Sequence, residues 1–290
     1  SSAFFENGVD KLFFTGSVPA GKDLMAQAAK TLTPLSLELG GKDPMIVLED
    51  ADLERAANGA AWAGYQNSGQ SCGGVERIYV HESVYDQFVD LLAARTRSLR
   101  QGVPNAECTV DVGAMTTAKQ RRVVEKQVDE AVAQGARIVA QAQLADNLQG
   151  EFYPATVMTH VHHDMVLMRE ETFGPVLPVM PFKTEEEAVR LANDCTMALS
   201  ASIWSRNTNR AKALASKVPP MQKPSVLMLS APVISRVRLS RTTSVAAAWP
   251  FTNTFSPAAL PEPSLDTVTC DHSPTGMQSP ARSASRPASR

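Results

Sequence analysis

Short apolar runs alternate along residues 1–218 with longer segments in which apolar residues recur at helical spacing. The runs predict strands, and the spaced segments predict helices with one buried face. The predicted strands cover residues 11–15, 34–39, 45–48, 77–80, 176–182 and 199–204. The predicted helices cover residues 22–30, 52–65, a segment after 83, a segment ending at 135, 184–193 and 209–218. This alternation predicts an α/β fold with a largely parallel sheet covered by helices.

Three of the predicted helices begin at side chains that favour capping. Asp52 and Ser83 each precede a segment with helical spacing, so their oxygens can accept N–H groups of the first turn. Thr184 is followed three residues later by Glu187, which is the capping-box pattern. We therefore expect helices to start at these three positions.

The pattern changes at Pro219. Residues 219–290 are rich in Ser, Pro, Arg and Thr, and residues 279–290 are low-complexity and basic. Such a composition offers no regular apolar face to bury. The sequence therefore predicts a disordered tail over residues 219–290, with the folded part ending near Val218.

Charge and cysteine content narrow the class of protein. The 290 residues carry 28 Lys and Arg against 30 Asp and Glu, which argues against nucleic acid or a membrane surface as the main partner. No apolar run approaches the roughly 20 residues of a membrane span, and the first residues show no signal-peptide pattern. The four cysteines form no Cys-x-x-Cys pair, so we expect no metal site and reduced thiols in the cytoplasm.

One cysteine lies in a glycine-rich turn. Residues 67–74 contain Cys72 and separate a predicted helix from a predicted strand. A substrate can approach such a turn, and a cysteine thiolate is a strong nucleophile. The alternative is that Cys72 is a small loop residue without a catalytic role.

A carboxylate lies near the end of the predicted strand 34–39. Glu38 stands between Leu37 and Leu39, and Gly40 and Gly41 then stop the strand. A Glu flanked by leucines is expected to be poorly solvated, which suits a general base. The alternative is an edge-strand Glu that points to water.

The first predicted strand runs into a glycine turn and a helix. Gly16 and Ser17 stand at this turn, and Gly21 follows. The backbone N–H groups at the helix start, together with the Ser17 hydroxyl, can hold a phosphate. The segment is not a Gly-x-Gly-x-x-Gly pattern, so a plain turn is the alternative.

A second carboxylate stands before the predicted strand 176–182. Within residues 170–175, Glu171 can accept hydrogen bonds from a ribose diol, and Phe173 can pack on a flat ring. The alternative is a charged loop with a core phenylalanine.

Together, these four segments resemble the aldehyde dehydrogenase superfamily in order and spacing. The signatures are Phe-Thr-Gly-Ser, Leu-Glu-Leu-Gly-Gly-Lys, Asn-x-Gly-Gln-x-Cys and Glu-Glu-x-Phe-Gly-Pro, and the middle two are highly specific. The resemblance extends from about Phe5 to Val218. It implies a remnant of the dinucleotide-binding domain over residues 1–38 and a three-layer α/β catalytic domain over residues 39–218. The tail over residues 219–290 lies outside it.

The resemblance also implies the chemistry. Cys72 would attack an aldehyde to give a thiohemiacetal, and loss of hydride to NAD or NADP would leave a thioester. Water activated by Glu38 would then hydrolyse the thioester to the carboxylic acid. The presence of Glu38 favours hydrolysis over transfer of the acyl group to coenzyme A.

The same resemblance implies the cofactor contacts. Gly16 and Ser17 would touch the cofactor phosphates, and Gly40 would border the nicotinamide pocket. Glu171 would bind the nicotinamide ribose, with Phe173 beside it. A small-molecule aldehyde is then the substrate, with NAD or NADP as the cofactor.

Two departures from the family pattern bear on activity. The N-terminal half of the family's sequence is not found before the segment that resembles the family. That half carries a cofactor-binding Lys and the Asn that stabilises the oxyanion. Loss of an oxyanion donor typically costs ~10²–10³ in rate. The family's Asn-bearing strand and its segments for homo-oligomer formation do not follow Val218, so the tail resembles a shifted reading frame. We therefore expect a truncated C-terminal half that, alone, oxidises aldehydes slowly.

Three hypotheses stay open from the sequence. The first is an oxidoreductase subunit that oxidises aldehydes, and the second is an inactive fragment that keeps only the catalytic scaffold. The third is a thioesterase-like remnant that uses Cys72 and Glu38 without a cofactor. Cofactor binding separates the first hypothesis from the others, and ester hydrolysis separates the third from the second.

Overall fold

The structure is a computed structural model that describes residues 2–218, except Cys108, Asp146, Asn147 and Ala198, and the strand Leu227–Ser230. Its strands are Leu12–Gly16 (β1), Leu35–Leu39 (β2), Asp43–Val47 (β3), Val75–His81 (β4), Arg137–Gln141 (β5), Thr156–Thr159 (β6), Val176–Phe182 (β7), Ala201–Trp204 (β8) and Leu227–Ser230 (β9). Its α-helices are Ser2–Glu6 (α1), Val18–Ala28 (α2), Leu53–Tyr65 (α3), Tyr85–Arg97 (α4), Ala118–Ala133 (α5), Val166–Arg169 (α6), Glu185–Asn193 (α7) and Thr208–Ala215 (α8). None of these helices is both long enough and apolar enough to cross a membrane.

A seven-stranded sheet forms the centre of the fold. Its strand order is β5-β6-β7-β4-β3-β8-β9. Every neighbouring pair is parallel except β5 with β6. The largely parallel sheet predicted from the sequence is therefore confirmed.

Both faces of the central strands are buried under helices. In β3, Met45 and Val47 pack in a cluster with residues of α3 and α4, whereas Ile46 packs in a cluster with residues of α5, α7 and α8. Strands that are buried on both faces carry continuous apolar runs, which is the pattern seen here. The result is the predicted three-layer α/β architecture.

The strands β1 and β2 form a separate two-stranded parallel sheet. One face of this sheet is covered by α2, whose Leu24 and Ala28 pack with Phe5 and contact Phe14. On the strand β1, Phe13 is 72% exposed. The division into units over residues 1–38 and 39–218 stays a prediction.

Two of the three predicted helix caps are confirmed. Asp52 accepts a hydrogen bond from the N–H of Arg55 at 3.2 Å and begins α3. Thr184 accepts one from the N–H of Glu187 at 3.2 Å and begins α7. The Glu187 carboxylate reaches back to the N–H of Lys183, which secures the same helix start.

The prediction that Ser83 caps a helix is wrong. A short 3₁₀ turn, Glu82–Val84, comes first, and α4 begins at Tyr85 without a side-chain cap. The ring of His81 accepts the N–H of Ser83 instead. The side chain that caps this region therefore lies two residues earlier than predicted.

One strand lies within the segment predicted to be a disordered tail. The strand β9 pairs in parallel with β8 at the edge of the large sheet. The prediction of no regular structure therefore does not hold for Leu227–Ser230, because these residues include a short apolar run that extends the ladder. The rest of residues 219–290 lies outside the described residues.

Candidate active site

The loop that carries Cys72 has a tightly constrained backbone. After α3, Asn67, Ser68 and Gly69 adopt positive φ angles of 51°, 56° and 70°, respectively. A Cβ at Gly69 would lie 2.7 Å from the nitrogen of Pro175 and closer still to Gly174, so only glycine fits. The loop therefore packs directly against the segment that follows Phe173.

Side-chain hydrogen bonds hold the same loop. The Asn67 amide donates to the carbonyl oxygen of Gln70 at 3.0 Å, and the Gln70 amide donates to that of Asn67 at 3.0 Å. Gln70 Oε1 also accepts from the N–H of Thr116 at 2.9 Å. Ser68 donates to the Gly113 carbonyl at 2.7 Å. These bonds explain why Asn and Gln precede the cysteine in this loop.

Cys72 is exposed at the end of this loop. The other free thiol of the described chain, Cys195, is buried and lies 3.6 Å from the Arg169 carbonyl oxygen. Of these two cysteines, only Cys72 lines a cleft of about 410 Å³. Cys108 and Cys270 lie outside the described residues.

The cleft brings together every site residue predicted from the sequence. Among the residues that line it are all seven predicted ones: Gly16, Ser17, Glu38, Gly40, Cys72, Glu171 and Phe173. They come from four separate segments of the chain. Sequence reasoning missed Gln120 and Met197, which also line the cleft and belong to segments without a glycine-rich motif.

Parallel pairing of β1 and β2 brings two of these segments together. Thr15 is the partner of Glu38, and Gly16 is the partner of Leu39. Because both strands end at the same edge, the turn after β1 and the turn after β2 lie side by side. The glycine turn at Gly16 and the carboxylate of Glu38 therefore share the cleft.

The expectation that Glu38 is poorly solvated is wrong for this structure. Its side chain is exposed. The cause is the small size of the β1–β2 sheet, which α2 covers on one face, so the flanking leucines do not enclose the carboxylate. Glu38 nevertheless lines the cleft that contains Cys72.

Ser17 occupies the N-cap position of α2. Its Oγ accepts a hydrogen bond from the N–H of Ala20 at 3.4 Å. Pro19, which has no N–H, lies in the first turn, so fewer backbone donors face the cleft than in an ordinary helix start. The Ser17 hydroxyl proton can still be donated to a group in the cleft.

Glu171 is half-buried and lies against the backbone of Gly40. A Cβ at Gly40 would lie 2.6 Å from Glu171 Cδ and closer still to Oε1. Burial is the main cause that raises the pKa of Glu171 to about 7; the charge of Glu76 acts in the same direction, and Lys42 opposes the shift. Near neutral pH this carboxyl therefore exists in both protonation states.

A buried ion pair lies beneath the cleft and was not predicted. Lys42 Nζ lies 2.7 Å from Glu76 Oε2, and both side chains are almost fully buried. Burial lowers the pKa of Lys42, and the neighbouring Glu76 carboxylate opposes that shift. The charged pair Glu76 and Arg77 inside an otherwise apolar strand was the signal that could have indicated buried partners.

A second buried carboxylate holds the loop before β8. Asp43 accepts the N–H groups of Leu199 at 2.6 Å and Ser200 at 2.8 Å. The Ser200 hydroxyl lies 2.7 Å from Asp43 Oδ2 and 3.2 Å from the Gly73 carbonyl oxygen. Burial raises the pKa of Asp43 to about 6. The residue after Cys72 is therefore tied to β3 through this loop.

Known proteins share this sequence and fold. Residues 2–220 match the model of the aldehyde dehydrogenase family. Lactaldehyde dehydrogenase of Escherichia coli is 43% identical over 195 residues, which are 67% of this chain and 40% of that protein. Succinate-semialdehyde dehydrogenase (NADP+) 1 of Mycobacterium tuberculosis is 44% identical over 193 residues, which are 67% of this chain and 42% of that protein.

Solved structures give the same result. The crystal structure of Escherichia coli lactaldehyde dehydrogenase aligns with a TM-score of 0.69 and 41% identity, over 72% of this chain and 44% of that one. Betaine aldehyde dehydrogenase from Staphylococcus aureus, solved in complex with NAD+, aligns with a TM-score of 0.70 and 34% identity, over 76% and 43%. The chain spans about 40% of the length of the curated relatives it matches. Because the family match covers the four segments that meet at the cleft, the chain belongs to the aldehyde dehydrogenase family.

Proposed function

We propose that this protein oxidises an aldehyde to a carboxylic acid with NAD or NADP, using Cys72 as the nucleophile and Glu38 as the general base. One observation carries the proposal: a single cleft of about 410 Å³ is lined by both residues and by all five expected cofactor contacts. Family membership supports the reaction type. The chain spans about 40% of its relatives' length, so the activity of those whole proteins is carried over to this chain only as a proposal.

The residues of the cleft fit the nicotinamide half of a dinucleotide. The N-terminus of α2, an 11-residue helix, lies beside Gly16 and Ser17 and offers partial positive charge to a phosphate. Glu171 offers carboxylate oxygens to ribose hydroxyls, and Phe173 offers a flat apolar face. When bound, an oxidised nicotinamide would supply the acceptor for the hydride that leaves the substrate carbon.

Cys72 begins the proposed reaction. Its thiolate sulfur forms a bond to the aldehyde carbon, and the carbonyl oxygen becomes the oxyanion of a thiohemiacetal. Once the hydride has left this carbon, Cys72 holds the acyl group as a thioester. The constrained loop from Asn67 to Gly69 keeps the sulfur in place while the exposed side chain meets the substrate.

Glu38 acts in the hydrolysis step. Its exposed carboxylate has access to water and takes one proton as the water oxygen attacks the thioester carbon. The carbon–sulfur bond then breaks, the carboxylic acid leaves, and the Cys72 thiolate is restored. The proton held by Glu38 is finally released to solvent.

A single-turnover measurement tests the proposal. The protein, at high concentration, is mixed with NAD or NADP and with aliphatic or aromatic aldehydes, and absorbance of the reduced cofactor is followed. We expect up to one equivalent of reduced cofactor per protein in a burst, and none from Cys72→Ala. Cys195→Ala is the matched control and should behave as the wild type, because that thiol is buried outside the cleft.

The alternatives give different results in the same experiment. Absence of reduced cofactor with every aldehyde and both cofactors contradicts the proposal. If the protein binds neither cofactor but hydrolyses a nitrophenyl ester in a Cys72-dependent manner, the thioesterase-like alternative is favoured. If it does neither, the chain is an inactive scaffold.

A further inference from the structure

The carboxylate of Glu76 holds two successive backbone N–H groups below the cleft. Glu76 Oε2 accepts the N–H of Thr172 at 2.7 Å, and Oε1 accepts the N–H of Phe173 at 2.9 Å. The exposed fraction of Glu76 is 4%, and that of Thr172 is 1%. Hydrogen bonds to a buried charged acceptor are stronger than those between neutral groups. The segment that carries Glu171 and Phe173 is therefore anchored at its centre by one side chain.

Further hydrogen bonds complete this anchor. Lys42 Nζ donates to Glu76 Oε2 at 2.7 Å and to the Thr172 hydroxyl at 2.8 Å. That hydroxyl donates to Gln127 Oε1 at 2.8 Å. The Gln120 amide donates to the Thr172 carbonyl oxygen at 2.8 Å. The side chain and backbone of Thr172 are thus fully engaged, while its two neighbours line the cleft.

The ion pair joins the segments that carry the reacting groups. Lys42 lies four residues after Glu38, and Glu76 lies four residues after Cys72. Their contact fixes both segments relative to the loop that holds Glu171. Phe173 keeps a positive φ of 46° within this loop, which a residue with a side chain adopts only when its surroundings enforce it.

We propose that Glu76 is a positioning residue that fixes Glu171 and Phe173 in the cleft and thereby sets the affinity for the nicotinamide half of the cofactor. Glu76 itself does not line the cleft. The part of this inference that concerns affinity rests on the proposed function, whereas the part that concerns position does not.

A purely structural role is the alternative, and a double variant separates the two. Glu76→Gln leaves the Lys42 ammonium buried without its partner, which is strongly destabilising. The double variant Lys42→Met with Glu76→Leu removes both charges, and such apolar replacements of buried ion pairs are often neutral for stability. It still removes the acceptor of the Thr172 and Phe173 N–H groups.

The experiment compares the wild type, both variants and Asp50→Asn as a matched control. Asp50 accepts the N–H of Asn207 at 3.2 Å and the Ser205 hydroxyl at 2.8 Å, outside the cleft. Three quantities are measured for each protein: the thermal midpoint, hydrogen exchange of the peptide that contains Thr172 and Phe173, and the calorimetric Kd for NAD and NADP.

We expect exchange at Thr172 and Phe173 to be at least about tenfold faster in the double variant, and its Kd to be at least about tenfold higher, since hydrogen bonds to a charged group are lost. Both changes should persist when its thermal midpoint equals that of the wild type. Asp50→Asn should change neither quantity.

Two outcomes overturn the inference. One is wild-type exchange at Thr172 and Phe173 in a double variant that folds. The other is faster exchange with an unchanged Kd. If the wild type binds neither cofactor, the proposed function fails, and the exchange measurement alone decides whether Glu76 fixes the segment. If the double variant does not fold, Glu76→Gln is measured below its thermal midpoint. Its neutral amide has one acceptor oxygen for the two N–H groups, so faster exchange and a higher Kd are still expected.

Discussion

Replacing Gly40 by alanine should move the Glu171 carboxylate without unfolding the protein. An added Cβ would lie 2.6 Å from Glu171 Cδ. Ordinary carbon–carbon contacts are about 3.5–4.0 Å, so the carboxyl group must withdraw by at least about 1 Å. It can do so because it is the far end of a flexible side chain, and we therefore expect a small effect on the thermal midpoint.

The effect on the proposed reaction should be much larger. A displacement of about 1 Å in a group that positions a reactant can lower the rate ~10²-fold. We expect Gly40→Ala to slow the single-turnover burst by this order and to raise the Kd of the cofactor. The burst is measured with the aldehyde that gives the largest wild-type signal.

Gly73→Ala is the matched control for this substitution. A Cβ at Gly73 would meet its nearest atoms, in Asp43 and Ser200, at 3.9 Å, which is ordinary contact. Neither Gly40 nor Gly73 has a positive φ, so the conformational effect of the added methyl group is similar at both sites. Equal burst rates in the two variants would refute the reasoning about Glu171.

Three further predictions concern the side chains of the cleft. Limited iodoacetamide treatment with peptide mapping should label Cys72 before Cys195, because Cys72 is exposed and Cys195 is buried, and faster labelling of Cys195 would contradict this. Glu38→Gln should keep the burst of reduced cofactor but lower steady-state turnover by ~10²–10⁴, so unchanged turnover would exclude the base role. The raised pKa of Glu171, about 7 against an ordinary 4.5, means that the folded state binds its proton more tightly. Its contribution to stability is therefore greatest below pH 4.5 and is lost as the pH rises through about 7. Glu171→Gln should flatten the rise in unfolding free energy as the pH falls over this range, measured by denaturant titration, and an unchanged slope would contradict the assignment.

The large sheet was predictable where its strands are buried on both faces. The continuous apolar run of β3 indicates a strand that is buried on both faces. Met45 and Ile46 face opposite helical layers, so both must be apolar. The edge strand β5 and its neighbour β6 were not predicted. Most of β5 is exposed, and β6 is only four residues long, so neither has a long apolar run. Short or edge strands depend on their neighbours for pairing, which local sequence does not reveal.

The residues that meet at the cleft were predictable as a group, but their surroundings were only partly so. Gly40 marks a place where the backbone meets the Glu171 side chain, and Gly69 marks a place where two backbone segments meet. Both glycines are visible in the motifs themselves. The exposure of Glu38 was not visible, because it depends on how much of the β1–β2 sheet is covered. Solvation is a property of the assembled fold, and flanking leucines alone do not determine it.

The residues that hold the cleft in place cannot be predicted from the local motifs that identify the residues lining it. A charged residue inside an apolar strand must find a partner when it is buried, so Glu76 in β4 requires one. Its partners are 34 residues earlier, at Lys42, and 96 residues later, at Thr172. No local pattern connects such distant positions. The carboxylate that pairs with Lys42 therefore also binds the backbone of the loop that carries Glu171, so the proposed cofactor contact would depend on the packing of the central sheet.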